Sequence, residues 1–569
     1  MVVWKKNEFL DFVKQETDKE KIVQFIRDIK DPRRFLDPPK SSLEQGLKMK
    51  NMREAVNRFE QAILNQEMIV VSGDPDADGV TSLVEMLQYT RNYTDKVGYS
   101  YAQKLDGHGI EHQIEFLEDN FSNIDLLIIV DSSSNSIDGV KKVKDIFGCD
   151  VIILDHHQLE TLQMPDAILV NPNQHGDKYP NKDLSGAGVV FKFISEAEKI
   201  LQGGVDVFQY LDLVAVGMIG DVMKVTNMEN RYLMLNGMKN INNVGLKRIL
   251  KGANIAENEV SSSTVGFTIA PMINGAVRMG QVELAIKLLL STQDREEAMP
   301  LRLKLHKLNE KRKQQQKEYA SQIILELSEN EISSTERFLK PSLSDKILIL
   351  CYDFPPEYNG LVAGQLAEYY SRPVLILNSP REENSIIYGG SARTYNEFDF
   401  KKFLDESKLF KQVIGHAGSF GAYINKDNIP LLREYIHNYF ESHTSAELDK
   451  VEKIYDIEIN ENEVADWIPV LNKYNRLTGR GFDKIIVKVK NIMVDERKIL
   501  GKNNDTIQIT TMSDVKLMKF RTKNTYASEL ETMSIINAYG ELNMNKFIQR
   551  GKGVTYTPQV FILDYELVA

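Results

Sequence analysis

Short apolar runs alternate with longer amphipathic stretches in the first third of the chain. The runs are MIVVSG at 68–73, DLLIIVD at 125–131, VIILD at 151–155 and AILVNP at 167–172. Short β-branched runs between helical segments are typical of buried parallel strands in βαβ units, so the pattern predicts an α/β fold. The first three runs lead directly into Asp74, Asp131 and Asp155. Because ligands bind beyond the carboxyl ends of such strands, we expect these acids to converge.

The pattern changes several times along the rest of the chain. Residues 1–66 are charged and helical in pattern, and the prolines of DPRRFLDPP at 31–39 should stop any helix. Residues 190–330 are also helical in pattern, with one long helix or two over 282–327. The runs KILILC and PVLILN then predict a second α/β unit around a glycine-rich stretch. Beyond about 447, strand-like runs separated by turns predict a small β domain or barrel.

Composition narrows the class of protein. The chain has 569 residues and a net charge of −11, which argues against indiscriminate binding of nucleic acid but leaves room for local basic surfaces. Its two cysteines, Cys149 and Cys351, exclude a disulfide scaffold and a cysteine-rich zinc site. There is no signal-peptide layout and no apolar run of about 20 residues. We therefore expect a soluble, intracellular protein of the cytoplasm.

Three alternating carboxylates follow the first apolar run. Asp74, Asp76 and Asp78 stand in DPDADG, where they would repel one another unless a cation lay among them. Oxygen ligands of this kind suit Mg²⁺ and Mn²⁺. An EF-hand is the competing interpretation, because Glu85 fills the twelfth position of that loop. The preceding buried strand and the lack of an incoming helix argue against it.

Three further acidic positions and a histidine pair extend this candidate site. Asp131 ends one apolar run, Asp155-His156-His157 ends another, and Asp221 lies in DLVAVGMIGDVM. A single strand-end aspartate often caps the following helix, and a single histidine is often structural. Several acidic stops together with a histidine pair instead favour a two-metal site, in which cations activate water and stabilise charge on a phosphate.

The motifs resemble those of a known family. DPDADG, Asp131, the DHH sequence at 155–157 and Asp221 resemble the four motifs of the DHH phosphoesterases. NPNQHGDKYPNKDLSGAGVVFK and APMINGAVRMG are similar to segments of the RecJ-type exonucleases within that family. GGSAR and GHAGSFGAY resemble the associated DHHA1 substrate-binding domain, and the β-rich C-terminus resembles an OB-fold.

This resemblance implies five domains. They are a helical extension at 1–66, a DHH catalytic domain with a parallel sheet at 67–280, a long helical linker at 281–338, an α/β DHHA1 domain at 339–446 and an OB-fold-like domain at 447–569.

The resemblance also implies roles for individual residues. The expected metal ligands, which are catalytic, are Asp76, Asp78, Asp131, His156 and Asp221. His157 and Asp155 are also expected to be catalytic. His157 is expected to contact the scissile phosphate or the developing charge, while Asp74 and Asp155 are expected to orient histidine and metal-bound water. The expected substrate contacts are Asn274, Arg278, Gly390, Ser391, Arg393, Gly415, His416 and Gly418, with glycines and arginine forming a phosphate cradle. The glycines have a plainer interpretation as an ordinary turn. Arg476, Arg480, Phe482 and Lys484 are expected to bind nucleic acid in the C-terminal domain.

The function expected from this resemblance is a 5′-to-3′ exonuclease of single-stranded DNA. It would require Mn²⁺ or Mg²⁺ at two sites, release nucleoside 5′-monophosphates, and serve DNA repair, recombination or replication. We expect a monomer that works with single-stranded DNA, and a single-stranded-DNA-binding protein or helicase is a candidate partner. Other DHH phosphoesterases, acting on short RNA, cyclic dinucleotides or polyphosphate, are the alternative. A catalytically inactive DNA-binding scaffold is a third hypothesis, and the preference for DNA over RNA stays open.

Overall fold

The computed structural model describes residues 2–102, 109–329, 345–380, 385–395, 398–442, 451–501, 504–549 and 553–568. They form two compact units. The first comprises Met1–Lys5 and Lys307–Lys453, and the second comprises Lys6–His306 and Ile454–Ala569. The predicted boundaries at 338 and 446 fall outside the described residues, so the division into five domains stays a prediction.

A five-stranded parallel sheet forms the core of the second unit. Its strands, in spatial order, are Val97–Tyr101, Ile69–Gly73, Leu126–Val130, Asp150–Leu154 and Ile168–Val170. The strands Ile69–Gly73 and Leu126–Val130 are buried at every position, as is typical of parallel strands, and this explains their continuous apolar runs. The predicted α/β fold and its four apolar strands are confirmed. The edge strand Val97–Tyr101 was not predicted from the sequence, because its VGYSY segment is only half-buried.

The second unit also contains a series of helices between residues 19 and 290. Their bounds are Lys19–Ile26, Pro32–Leu36, Met52–Leu64, Ala77–Thr90, Ile114–Asn120, Ile137–Phe147, Gly186–Leu201, Leu211–Gly220, Met228–Lys239, Val244–Gly252, Ser262–Thr264, Ala270–Arg278 and Val282–Leu290.

Two helix predictions have different outcomes. The DPRRFLDPP segment does interrupt the helical pattern, because helix Lys19–Ile26 ends before it and Pro38 follows the end of helix Pro32–Leu36, but that short helix inside the segment was not predicted. Pro32 takes the first helical position, where no backbone donor is needed, and Asp31 caps the helix by accepting from the Arg34 N–H at 3.0 Å. The two-helix alternative for 282–327 is confirmed by Val282–Leu290 and the 31-residue helix Met299–Glu329.

The first unit contains a mixed sheet. Its order is Phe410–His416, Ser419–Asn425, Ile387–Arg393, Val374–Asn378 and Leu348–Cys351, in which the last two strands are parallel and the others antiparallel. Helices Asn359–Tyr370, Phe400–Glu406 and Asn428–Ser442 accompany it. The sheet confirms the predicted strands KILILC and PVLILN. A further two-stranded sheet pairs Val2–Lys6 with Val451–Tyr455.

The C-terminal part of the second unit is a closed barrel. Strands Val487–Leu500, Thr506–Thr511, Lys516–Lys519, Gly553–Leu567 and Ile535–Gln549 pair in that order, and pairing of the first with the last closes the ring. Strand Ile457–Asn460 adds to it in parallel, and helix Val464–Asn475 leads into it. The predicted β-rich, barrel-like domain is confirmed.

Buried polar contacts fix the barrel to the N-terminal extension within the second unit. The Arg27 guanidinium donates to Asp456 at 2.7 Å and to the Lys484 carbonyl at 3.0 Å. Asp456 also accepts from the Ile486 N–H at 2.9 Å. Burial raises the pKa of Asp456, while the neighbouring Arg27 opposes that rise. This ion pair therefore joins residues that lie more than 400 positions apart.

Two observations concern membrane segments and the cysteines. Within the described ranges, no helix combines the length and apolar character that a membrane crossing requires. Cys149 is buried and Cys351 is half-buried, and the two are not joined by a disulfide.

Candidate metal centre

The acidic ends of three parallel strands meet at one edge of the sheet. Gly73 pairs with Val130, and Val130 pairs with Leu154, so the strands end in register. The aspartates that follow these residues at 74, 131 and 155 are each no more than 3 % exposed. The expected convergence at the carboxyl edge is therefore observed.

His156 lies at the centre of this acidic group. Its Nε2 is 3.2 Å from Oδ1 of Asp131, 3.5 Å from Oδ2 of Asp221 and 3.8 Å from Oδ2 of Asp78. Oδ1 of Asp131 is buried and makes no hydrogen bond to any described residue. Three carboxylates from separate segments thus point toward one imidazole nitrogen.

Asp78 is held by the start of a neighbouring helix. Its Oδ1 accepts from the Ser185 hydroxyl at 2.9 Å and from the Ala187 N–H at 3.2 Å, and its Oδ2 accepts from the Gly186 N–H at 2.7 Å. These donors belong to the first turn of helix Gly186–Leu201, whose dipole favours a negative charge there. The geometry of Asp78 is therefore fixed before any ligand arrives.

Asp155 orients the second histidine. Its Oδ1 lies 2.7 Å from Nδ1 of His157 and accepts from the backbone N–H of His156 at 2.7 Å, while its Oδ2 accepts from the Ser134 N–H at 3.0 Å. Burial alone would raise the pKa of Asp155, but the charge and hydrogen bond of His157 bring it below its ordinary value. The Asp155 charge in turn raises the pKa of His157 to about 10, so this half-exposed imidazole is cationic at neutral pH.

At three other carboxylates of the site, burial outweighs such compensation. Burial, together with neighbouring carboxylates, raises the pKa of Asp131 well above its usual range and that of Asp221 to about 8. Burial likewise raises the pKa of Asp78 and lowers that of His156. A site that crowds anions and keeps an imidazole neutral is one that a cation would stabilise.

The donor set fits divalent cations. Two groups bring ligand atoms within 4.8 Å of one another, namely Asp78–His156–Asp221 and Asp131–Asp155–His156–His157. Carboxylate oxygens with one neutral imidazole nitrogen suit Mg²⁺ or Mn²⁺. The unsatisfied Oδ1 of Asp131 is the structural sign that a ligand is expected there.

Asp76 and Asp74 lie beside these groups rather than within them. Asp76 caps helix Ala77–Thr90 by accepting from the Gly79 N–H at 2.9 Å, and its charge raises the pKa values of Asp78 and Asp131. Asp74 is 3 % exposed, and its charge also raises the pKa of Asp131. The roles expected for both residues stay predictions.

The EF-hand interpretation is wrong. Helix Ala77–Thr90 begins only three residues after Asp74, and Glu85 lies in the middle of that helix with no exposed surface. A twelve-residue calcium loop cannot be formed, because most of its residues are helical.

Backbone strain is concentrated around the site. Asp131 has a φ of +60° and Ser133 a φ of +74°. Val222, next to Asp221, has a φ of +56°, which is rare for a β-branched side chain. Strain of this kind persists at functional sites because the surrounding contacts impose it.

Sequence reasoning missed the residues that support the centre. A Cβ at Gly186 would lie 2.5 Å from the Asp131 side chain, and one at Gly217 would lie 2.3 Å from Oδ1 of Asp78, so both positions need glycine. Asn173 donates to the His156 carbonyl at 2.6 Å, and Asn171 donates to the His157 carbonyl at 2.9 Å. Gly186 lies in the DLSGAG segment, and Asn171 and Asn173 lie in the NPN segment. Neither segment contains an obvious metal ligand, so the sequence contained no direct indication of these supporting roles.

The predicted contacts Asn274 and Arg278 lie one turn apart on helix Ala270–Arg278. Both side chains are half-buried. A Cβ at Gly220 would lie 3.1 Å from that of Ala77 and 3.9 Å from that of Ala270, so this helix begins beside the segments that carry Asp76 and Asp221. Their substrate role stays a prediction.

The glycine-rich residues of the first unit lie in or between the antiparallel strands of its mixed sheet. Gly390, Ser391 and Arg393 lie on one strand, and the turn interpretation of this stretch is wrong for them. Gly390 is required because a Cβ there would lie 2.0 Å from the Ile376 carbonyl oxygen. Gly418 lies in the turn between the two strands 410–416 and 419–425.

Strand pairing aligns two of the predicted phosphate contacts. Ser419 pairs with Arg393 on one side and with His416 on the other, so Arg393 and His416 share one end of the sheet. Gly415 (φ +133°) pairs with Phe420. The His416 side chain lies outside the described part of the chain. A phosphate role for these residues stays a prediction.

The predicted nucleic-acid contacts of the C-terminal part fall at its junction with the DHH-like region. Arg476 donates to the Val260 carbonyl at 3.3 Å, Lys484 pairs with Glu541 at 2.6 Å, and Arg480 pairs with Asp183. The Phe482 side chain is 5 % exposed and packs against Phe35, with ring centroids 4.9 Å apart, which argues against its expected contact with nucleic acid. The roles of the three basic residues stay predictions.

Comparison with known proteins agrees with this geometry. Residues 68–218 match the DHH family, N-terminal domain. Over 569 residues the chain is 28 % identical to the prophage SPbeta protein YorK of Bacillus subtilis, whose name places it among single-strand DNA-specific exonucleases, with 95 % of each chain covered. It is also 28 % identical to the single-stranded-DNA-specific exonuclease RecJ of Bacillus subtilis, over 94 % of this chain and 65 % of that protein.

A solved structure shares the fold over almost the whole chain. The structure of RecJ from Thermus thermophilus in complex with Mn²⁺ superimposes with a TM-score of 0.74 at 21 % identity. The alignment covers 99 % of this chain and 79 % of the Thermus protein.

Proposed function

We propose, from the premise that this chain belongs to the DHH family and has the RecJ fold, that it is a divalent-metal-dependent exonuclease of single-stranded DNA. It works from the 5′ end and releases nucleoside 5′-monophosphates. The observation that carries the proposal is the approach of Asp78, Asp131 and Asp221 to Nε2 of His156.

In this proposal the carboxylates and His156 hold the catalytic cations. Asp76, Asp78, Asp131, His156 and Asp221 are the ligands, and the backbone donors at the start of helix Gly186–Leu201 keep Asp78 in place. When bound, Mn²⁺ or Mg²⁺ would lower the pKa of water and stabilise the charge that develops on the phosphate.

His157 acts on the substrate phosphate. Its raised pKa keeps the imidazole positively charged at neutral pH, and its side chain is 52 % exposed. Asp155 anchors Nδ1, which leaves Nε2 as the donor toward solvent. A fixed cationic donor at the exposed edge of the site can donate a charge-assisted hydrogen bond to a phosphate oxygen.

The presence of the barrel favours the proposal that the substrate is a polynucleotide. OB-like barrels combine a positively charged groove with surfaces that follow a single strand. Here the barrel is attached to the same compact unit as the acidic centre, through Arg27–Asp456 and Phe35–Phe482. A strand held by the barrel would therefore keep a defined path relative to the centre. A role in DNA repair, recombination or replication and a partnership with a single-stranded-DNA-binding protein or helicase belong to the same proposal.

The direct test is digestion of single strands labelled at either end. With Mn²⁺ or Mg²⁺, a 5′ label should appear at once as mononucleotide, whereas a 3′-labelled strand should shorten progressively. EDTA should stop both reactions. Release of the 3′ label first, or equal digestion in EDTA, would contradict the proposed polarity or the proposed metal dependence.

A substrate panel separates this function from the other DHH activities. Long single-stranded DNA should be digested faster than duplex DNA, single-stranded RNA, dinucleotides, cyclic dinucleotides or polyphosphate. A preference for any small substrate would favour the alternative phosphoesterases. Binding of the strand without metal-dependent hydrolysis would favour the inactive scaffold.

A further inference from the structure

Arg480 lies at the tip of a tight turn between the last helix and the barrel. Gly479 and Phe482 exchange both backbone hydrogen bonds, each at 2.9 Å, so only Arg480 and Gly481 form the turn. Such a short, doubly bonded turn restricts the backbone on either side of the arginine. The guanidinium is therefore presented from a rigid support.

Buried contacts anchor the base of this turn. Phe482 packs against Phe35, and the Arg231 guanidinium lies 5.8 Å from the centre of the Phe482 ring. On the other side, the Thr478 N–H donates to the Ser262 hydroxyl at 3.0 Å. These partners come from the N-terminal extension and from two helical segments, so the turn is fixed to the body that carries the acidic centre.

The turn presses against the segment that follows Asp221. The Val225 N–H donates to the Arg480 carbonyl at 3.0 Å. A Cβ at Gly481, whose φ is +92°, would lie 2.9 Å from Oγ1 of Thr226, so only glycine permits this approach. Arg480 is consequently held a few residues from a proposed metal ligand.

The side chain of Arg480 contacts a second segment that lies beside the centre. Its guanidinium forms an ion pair with Asp183, two residues before the Ser185 hydroxyl that binds Asp78. The Arg480 side chain is 49 % exposed and that of Asp183 is 36 % exposed. The pair therefore lies at the solvent-facing rim of the acidic centre, where an incoming anion can reach it.

We propose that Arg480 binds a backbone phosphate of the substrate strand at this rim, and that the phosphate displaces Asp183 from the guanidinium. The inference rests on the proposed function and names one contact within it. A planar guanidinium fork matches phosphate as well as carboxylate, and Asp183 holds the fork in position while no strand is bound. Because the turn is rigid, little backbone entropy is lost when the phosphate binds.

The test measures strand binding in EDTA, so that hydrolysis plays no part. The probe is a fluorescent (dT)20 strand with a 5′ phosphate, and its affinity is followed by anisotropy between 50 and 200 mM NaCl. Losing one phosphate contact should reduce the salt exponent by about 0.7, so wild-type affinity should fall about 2.6-fold more than that of Arg480→Gln over this range. Arg480→Lys should retain the wild-type salt exponent.

Asp183→Asn distinguishes a phosphate contact from a merely structural ion pair. If phosphate competes with Asp183, this variant should bind the strand at least as tightly as wild type, whereas Arg480→Gln binds more weakly. Lys473→Gln is the matched control, because Lys473 lies on the helix before the turn, pairs with Glu20, and should leave the salt exponent unchanged when replaced. Thermal unfolding of each variant verifies folding.

Two results would overturn the inference. Equal loss of affinity in Arg480→Gln and Asp183→Asn would mean that the pair is structural, and an unchanged salt exponent in Arg480→Gln would mean that Arg480 contacts no phosphate. Wild-type protein that fails to bind the strand would instead overturn the proposed function, and the inference with it.

Discussion

Glu85 gives the sharpest prediction about stability. It lies in the middle of helix Ala77–Thr90 with no exposed surface, and neither carboxylate oxygen has a hydrogen-bond partner among the described residues. Burial raises its pKa well above the ordinary value of 4.5, and the charges of Asp78 and Asp212 raise it further. The folded protein therefore keeps this carboxyl neutral where the unfolded chain ionises it.

The sign and size of the effect follow from that difference. Below pH 4.5 both states are protonated and Glu85 costs nothing by ionisation. As the pH rises above 4.5, ionisation of Glu85 stabilises the unfolded state. The free energy of unfolding therefore falls by about 1.4 kcal/mol per pH unit until the pKa of Glu85 in the folded protein is reached. If the carboxyl stays neutral to pH 7, the accumulated cost is about 3 kcal/mol.

Glu85→Met should remove this cost. Methionine has a similar shape and no group to ionise, so the variant should be about 3 kcal/mol more stable than wild type at pH 7 and should lose most of that advantage near pH 4.5. The assay is urea unfolding in EDTA at several pH values, followed by far-ultraviolet circular dichroism. Glu115→Met, at an exposed position, is the matched control and should change stability by about 0.5 kcal/mol or less.

A gain that is the same at pH 4.5 and pH 7, or a loss at pH 7, would refute this reasoning. The first result would mean that packing rather than ionisation sets the difference. The second would mean that Glu85 has a partner that stabilises its charge.

Two further substitutions test other parts of the account. Phe482→Ala should lower the free energy of unfolding by about 3–5 kcal/mol, because it leaves a cavity against Phe35. Urea unfolding measures this change, and an unchanged stability would mean that the Phe482 side chain is not buried. Arg393→Gln should raise KM about tenfold or more for a 5′-phosphorylated strand, because a charged hydrogen bond is lost. Steady-state kinetics on 5′-phosphate and 5′-hydroxyl strands measure this effect. Equal KM values for wild type and variant would mean that Arg393 does not contact the substrate.

The parallel sheet and its acidic edge could be predicted because their signal is local. Each of these buried strands is a continuous apolar run, which indicates the strand. An aspartate follows each run, which marks the carboxyl edge of the sheet. The strand ends at Asp131 and Asp155 could be located without knowledge of distant residues.

Other features depend on contacts that a local pattern does not carry. Phe482 stands among basic residues, and the GRGFDK sequence suggests a surface loop. Its burial is caused by Phe35 and Arg231, which lie hundreds of positions away. Gly390 likewise resembles a turn residue, although it lies inside a strand. Glycine is needed there because the Ile376 carbonyl of the neighbouring strand leaves no room for a side chain.

Backbone strain was also hidden from the sequence. Val222 is a residue that normally avoids positive φ, and nothing in GDVMKV indicates its left-handed conformation. Val222 has this conformation directly after Asp221. Val225 of the same segment then donates its N–H to the Arg480 carbonyl in the turn described above. The support of the centre is thus a property of the assembled fold.

The central claim is that the carboxylates around His156 form a divalent-metal centre that drives hydrolysis. The most direct measurement is the single-turnover rate on a 3′-labelled single strand as a function of Mn²⁺ concentration, for wild type and Asp131→Asn. We predict a saturable rate for wild type and a loss of about 100-fold or more for the variant, with its circular dichroism spectrum unchanged. Wild-type rates and metal dependence in Asp131→Asn would contradict the claim.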